Sequence, residues 1–155
     1  MKPANALLTV IEVATRKRDE ALQQLAQARR EQEHALLQMS QLQGYTVESQ
    51  QRWSARASTG VPVALLHAHQ NMMAKLEHAV QFQQGVLQRL AQQVERCEQS
   101  VLQAERELAS LKKFQHRQQA AWQQHQQRTE QKLNDEMAAA QHRQHAHHTP
   151  WRPTP

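Results

Sequence analysis

Apolar side chains recur along this chain with a period of seven over most of its length. Leu66, Met73, Val80, Leu87, Val94, Val101, Leu108, Gln115 and Trp122 stand seven residues apart, and only Gln115 in that series is polar. No proline falls between Pro62 and Pro150. A sustained seven-residue repeat keeps one seam of a helix facing a partner for many turns, so it predicts a coiled-coil helix. With this series as heptad position a, position d is His69, Leu76, Gln83, Leu90, Cys97, Ala104, Leu111, Gln118 and His125. A helix of roughly 80 residues would be about 120 Å long, and alone it has nothing to bury that stripe against.

The first half carries a heptad of its own. Its a and d positions alternate through Ala4, Leu7, Ile11, Ala14, Arg18, Ala21, Leu25, Ala28, Gln32, Ala35, Met39 and Leu42, with Arg18 and Gln32 the polar exceptions. The pattern weakens through Thr46 and Ser49, and Trp53 is the next a residue. Between the halves, Gly60 suits a helix C-cap and Pro62 the first turn of a new helix. The expected fold class is all-α: an antiparallel two-helix coiled-coil hairpin with a longer second helix overhanging at the terminal end. The expected organisation is a tail at 1–3, helix one at 4–58, a turn at 59–62, helix two at 63–143 and a disordered His/Pro-rich tail at 144–155.

Antiparallel pairing sets a residues of one helix opposite d residues of the other, which here requires facing residue numbers to sum to 115, 122 or another step of seven. A turn centred on Val61 selects 122. The layers then read Leu42 with Val80, Ala35 with Leu87, Ala28 with Val94, Leu25 with Cys97, Ala21 with Val101, Ala14 with Leu108 and Ile11 with Leu111. Small residues of helix one face large ones of helix two. Each buried Leu, Val or Ile contributes about 1.5–3 kcal/mol before chain entropy is subtracted. Arg18 is expected to carry its guanidinium out to water along an apolar stem. Gly44 and Gly85 both fall at outward f positions, where each costs helix stability of about 1 kcal/mol but no packing. Residue 4 pairs near residue 118, so the remainder of helix two, with Trp122, Leu133 and Met137, is left without cover. A lone helix in water is marginal, so this overhang is either frayed or made to enter a partner.

Composition narrows the picture. The 155 residues include 28 glutamines, three glycines and few aromatics, and no strand-type alternation occurs, which argues against a compact globular domain. The net charge of +5 and pI near 9.9 favour an anionic partner. The charges are interspersed, however, as in Arg16-Lys17-Arg18 followed by Asp19-Glu20, and basic clusters with interleaved aromatics are missing. They read as a solvated helix face rather than a nucleic-acid interface. A single cysteine, Cys97, excludes an internal disulfide and fits a reducing compartment. No signal-peptide core and no membrane-length apolar run occurs, so the chain reads as soluble and cytoplasmic.

Nothing in the sequence assembles catalytic chemistry. No nucleophile–base constellation, phosphate-cradling glycine loop or metal-ligand spacing is present, and two straight helices offer no pocket, so no enzyme activity, cofactor, metal or small-molecule substrate is expected. His142, His145, His147 and His148 read as part of a polar tail rather than a metal site. Cys97 reads as a packed seam thiol. One flank is more informative. Gln38 and Tyr45 occupy g positions beside Leu42, and Met72 and Ala79 occupy g positions beside Leu76. The two g edges of an antiparallel hairpin lie on the same side, so these six residues form one semi-exposed strip near the hairpin end. Ordinary flank packing and a docking patch both remain open at this point.

The chain resembles the FliJ family, small coiled-coil proteins of the bacterial flagellar type III export apparatus. The likeness is carried by Leu7, Ala14, Asp19-Glu20-Ala21, Arg29-Arg30, Gln38, Leu42, Tyr45 and Glu48. After the turn it continues through Leu76-Glu77-x-Ala79-Val80 and the closing Arg128-x-x-Gln131-Lys132-x-x-Asp135-Glu136. The resemblance implies a hairpin similar to the central stalk of rotary ATPases. It further implies that the end bearing both termini enters the channel of the hexameric export ATPase, that the protein promotes ring assembly, docks on the cytoplasmic domain of the membrane export gate and helps recycle export chaperones, and that it sits in the cytoplasm against the inner membrane at the flagellar base. The family's gate-docking positions correspond to Gln38, Leu42, Tyr45, Met72, Leu76 and Ala79. ATPase contacts are expected at Arg128, Gln131, Lys132, Asp135 and Glu136. Ser49 and Met72 stand where aromatics are frequent in the family, and Gln83 where a His occurs. Two other readings are a stalk of a non-flagellar type III secretion ATPase and a nucleic-acid-associated coiled coil, the latter requiring a steep salt dependence of binding.

Overall fold

A computed structural model describes residues 3–147, and side chains from Asn5 onward. The described chain is two helices, α1 (Pro3–Ala57) and α2 (Val63–His147), of 55 and 85 residues, paired as an antiparallel hairpin. Pro3 opens α1, where its missing N–H costs nothing. Met1 and Lys2 of the expected tail lie outside the described residues, as does the side chain of Ala4.

The turn occupies residues 58–62 and shows why α1 stops. Gly60 has φ of 87°, a left-handed conformation that a side chain would strain. The last carbonyls of α1 are satisfied locally: Thr59 N–H donates to Arg56 O at 3.2 Å and Gly60 N–H to Ala57 O at 3.3 Å, while Ser58 Oγ donates to Ala55 O at 2.8 Å. Pro62 lies one position before the helix rather than in its first turn. Its carbonyl accepts from Leu65 and Leu66 N–H at 3.1 and 3.2 Å. At the far end α2 runs to His147, so residues 144–147 are helical and not part of a disordered tail. No glycine or proline occurs between Val86 and Thr149 to stop it. The rest of that expected tail, residues 148–155, lies outside the described residues.

The chain divides into two units, one reaching Leu108 and the other beginning at Ala109. In the first, burial follows the heptads. The buried α1 residues are Ala14, Ala21, Leu25, Ala28, Ala35 and Met39, all at a or d, with Ala28 and Ala35 deepest at 3% exposure. Ala21 and Leu25 form a core with Val101, and Val94, Cys97 and Ala104 pack against it. The register is marked by Trp53, which stacks on His69 with ring centroids 4.2 Å apart and planes 5° from parallel; these two numbers sum to 122. Arg18 turns its guanidinium to the exposed carboxylate of Asp19 at 2.9 Å. Arg29 crosses to Glu98 at 3.3 Å, joining the two e edges. Both partners are about half exposed, so the pair is worth no more than about 1 kcal/mol.

One of the polar seam residues is buried. Gln83, at position d of α2, is buried, and its Nε2 donates to Ala35 O at 3.0 Å and to Gln38 Oε1 at 3.2 Å. The Ala35 carbonyl already serves the helix ladder of α1, so removing the amide leaves no orphaned acceptor there. Gln83→Leu is therefore expected to be neutral or slightly stabilising, since burial of the leucine offsets the loss of hydrogen bonds worth about 0.5–1.5 kcal/mol each, read as an unchanged or higher melting temperature by circular dichroism.

Candidate partner-binding surfaces

The first candidate surface lies on the g edges near the hairpin end. With the register marked by Trp53 and His69, Leu42 stands level with Val80 and Tyr45 with Glu77. Tyr45 is 50% exposed, Leu42, Met72, Leu76 and Ala79 are half-buried, and Gln38 is exposed. All six belong to the same unit. The hydrogen bond from Gln83 ties Gln38 to the opposite helix, so one end of the strip is held by a buried amide. A side chain that sits half-buried on a flank is ordered by its own hairpin yet still offers apolar area to a second protein.

Two neighbours of this strip escaped the heptad reading. Val86 continues the g edge of α2 and is half-buried; Phe82, three residues after Ala79, is 69% exposed. Their signal was the i, i+3 and i, i+4 spacing from Ala79 and Val86, which places Phe82 against both on the helix surface.

The second candidate surface lies beyond Ala109. From His116 to His147 every residue is exposed, Trp122 at 61%. Arg128, Gln131, Lys132, Asp135 and Glu136 are all exposed and fall within an arc of about 140° at 100° per residue. They therefore share a face, and none forms an ion pair with a described residue. Apolar residues change their period here: after Trp122 the next a positions are Thr129 and Glu136, whereas Leu111, Trp122 and Leu133 are spaced by eleven. Eleven residues span three turns at about 3.67 per turn, close to an unsupercoiled helix. Basic residues with interleaved aromatics, which the chain-wide charge pattern hid, do occur in this segment as Lys112-Lys113-Phe114, Arg117, Trp122 and Arg128.

Among the described residues no group of three His, Cys, Asp or Glu side chains is placed to hold a metal ion, and no helix is long and apolar enough to cross a membrane. Cys97 is half-buried against the Ala21–Leu25–Val101 core. His142, His145 and His147 lie on exposed helix, and His148 lies outside the described residues.

The family described as Flagellar FliJ protein aligns with residues 2–147. No curated protein and no solved structure matches the chain.

Proposed function

Because the chain belongs to the flagellar FliJ protein family, we propose that it acts as the central stalk of the flagellar type III export ATPase, promoting assembly of the hexameric ring and linking it to the export gate. The observation that carries this reading is the family match, which extends over both helices of the hairpin. In this reading the chain has a non-catalytic role in the cytoplasm against the inner membrane, with the export ATPase and the export gate as its partners. The flagellar family takes precedence over a stalk of another secretion system. Recycling of export chaperones belongs to the same proposed role.

The two surfaces divide the labour. The exposed face with Arg128, Gln131, Lys132, Asp135 and Glu136 is proposed to contact the ATPase ring, since a long helix with an uncovered face is ordered by entering a partner. The strip of Gln38, Leu42, Tyr45, Met72, Leu76 and Ala79 is proposed to dock on the cytoplasmic domain of the gate protein. Half-exposed aromatic and aliphatic anchors on a rigid scaffold are what a docking hot spot requires. The stalk role is tested by adding the purified chain to the purified export ATPase. Co-elution as a ring complex and faster ATP hydrolysis are expected, and an ATPase indifferent to the chain would end the proposal. For the gate, Tyr45→Glu is expected to weaken binding by about tenfold or more, as loss of a central aromatic does, while helix content and melting stay unchanged. Undiminished binding to the gate domain, measured by calorimetry, would remove the strip from the interface.

A further inference from the structure

The exposed stretch of α2 from His116 to His147 is self-complementary about Leu133. At 100° per residue, Trp122, Gln126, Thr129, Met137, Ala140 and Gln144 all lie within about 40° of Leu133 around the helix. They stand 4, 7 and 11 residues to either side of it. A second copy laid antiparallel across Leu133 brings level those residues whose numbers sum to 266. Leu133 then meets Leu133, Met137 meets Thr129, Gln126 meets Ala140 and Trp122 meets Gln144. In each unlike pair the larger side chain faces a smaller one. Thr129 brings no orphaned donor into such a seam, because its hydroxyl already donates to His125 O at 2.9 Å.

The charges fit the same register. Arg128, Lys132 and Glu136 follow at intervals of four, about 60–140° to one side of Leu133. Within one copy Arg128 and Lys132 repel as like charges at i, i+4. In an antiparallel pair the same edges of the two copies adjoin, and Glu136 of one comes level with residue 130 of the other. It stands between Arg128 and Lys132, about 3 Å along the axis from each. Two-fold symmetry makes the contact twice. From Trp122 to Met137 two cations are set against three carboxylates, Glu130, Asp135 and Glu136, so this stretch does not attract an anionic membrane or a nucleic acid. A parallel pair is unsuited to the face, since nearer the start of α2 it is already covered: Leu108 is 4% exposed, and Leu111 and Gln115 are half-buried. At a sum of 266, His147 of one copy is level with residue 119 of the other, inside the exposed stretch.

We propose that the free chain pairs with a second copy through residues 119–147, as a short antiparallel coiled coil centred on Leu133. The pair covers Arg128, Lys132 and Glu136, three of the residues proposed to contact the ATPase. Self-association and ATPase binding therefore exclude each other, and the pair is a reserve form that gives way when the ATPase takes up the chain. The self-association stands on the seam and its charges, whereas this regulatory consequence rests on the stalk reading.

Sedimentation equilibrium of the full-length chain across a concentration series tests the pairing. The wild-type mass is expected to rise from 17.9 kDa towards twice that value. Leu133→Glu, which sets two carboxylates against each other, is expected to hold the monomer mass throughout while the hairpin melts at an unchanged temperature. Glu136→Lys alone, and Arg128→Glu with Lys132→Glu, each line the edge with like charges and are expected to stay monomeric. Mixed one to one, these two variants are expected to pair, because each supplies the charge the other lacks. A mixture that stays monomeric overturns the register, and a wild-type chain of monomer mass at every concentration overturns the self-association while leaving the stalk role intact. On a Cys97→Ala background, Gln126→Cys is expected to cross-link to Ala140→Cys and not to itself; self-linking overturns the antiparallel arrangement. The cross-linked pair is expected to lose its stimulation of the purified export ATPase and to regain it on reduction. Stimulation by the cross-linked pair overturns the exclusion. A chain that fails to stimulate even when reduced overturns the stalk reading and the regulatory consequence together, whereas the self-association is read from mass alone.

Discussion

Truncation after Ala120 is expected to abolish stimulation of the export ATPase while leaving the hairpin as stable as before. Every described residue beyond Gln115 is exposed, so the deletion removes no buried side chain from the unit that holds the core. It does remove Trp122, Leu133 and all five residues proposed to touch the ring. The loss of affinity is expected to reach about 100-fold, near 2.7 kcal/mol, with the melting temperature moving by no more than about 2 °C. Titration calorimetry against the hexamer and thermal denaturation followed at 222 nm read the two halves of the result. Intact stimulation by the truncated chain would place the ATPase contacts elsewhere in the hairpin.

The second large effect is expected in the seam. Ala28 is 3% exposed and stands level with Val94, so Ala28→Asp forces a carboxylate between two helices with no partner and a side chain too short to reach water. Together with the lower helix propensity of Asp, the cost is expected to be at least about 3 kcal/mol. For a protein whose whole stability is about 5–15 kcal/mol, that is a large share. Ala26→Asp, two residues away on the exposed face, is the comparison and is expected to cost about 1 kcal/mol or less. Urea unfolding of the two variants separates seam burial from helix propensity. Equal midpoints would show that the alanine seam is not where the hairpin gains its stability.

Much of this architecture can be read from period and punctuation alone. Ala21, Leu25, Ala28 and Ala35 fall where the heptads put the seam, because a two-helix core has a single buried line and the seven-residue repeat traces it. The register also emerged, since Gly60 and Pro62 mark the turn and the turn chooses between sums one heptad apart; the Trp53–His69 stack lies on the chosen one. Gln83 was harder. A polar residue at position d reads as an interruption, and the acceptor that satisfies it is the backbone carbonyl of Ala35, which no side-chain pattern displays. The end of α2 was misplaced for a related reason: histidines and glutamines look like tail composition, yet neither stops a helix. For the binding surfaces, the strip containing Tyr45 was legible as a flank, but Phe82 was not, because its exposure at an outward position has no consequence for the seam. The basic segment was hidden by averaging, since a chain-wide charge pattern conceals the 22 residues without an acid between Glu107 and Glu130.

The tryptophans of the two helices have unlike surroundings, and that gives the molecule two optical reporters. Trp53 is half-buried and lies flat against the imidazole of His69, whereas Trp122 stands 61% exposed on α2. Emission from Trp53 follows the integrity of the hairpin end, and emission from Trp122 follows the polarity around the segment proposed to contact the ring. With Trp151 replaced by Phe and one of the other two replaced in turn, a single fluorimeter trace distinguishes a stalk that has melted from one that has been seated.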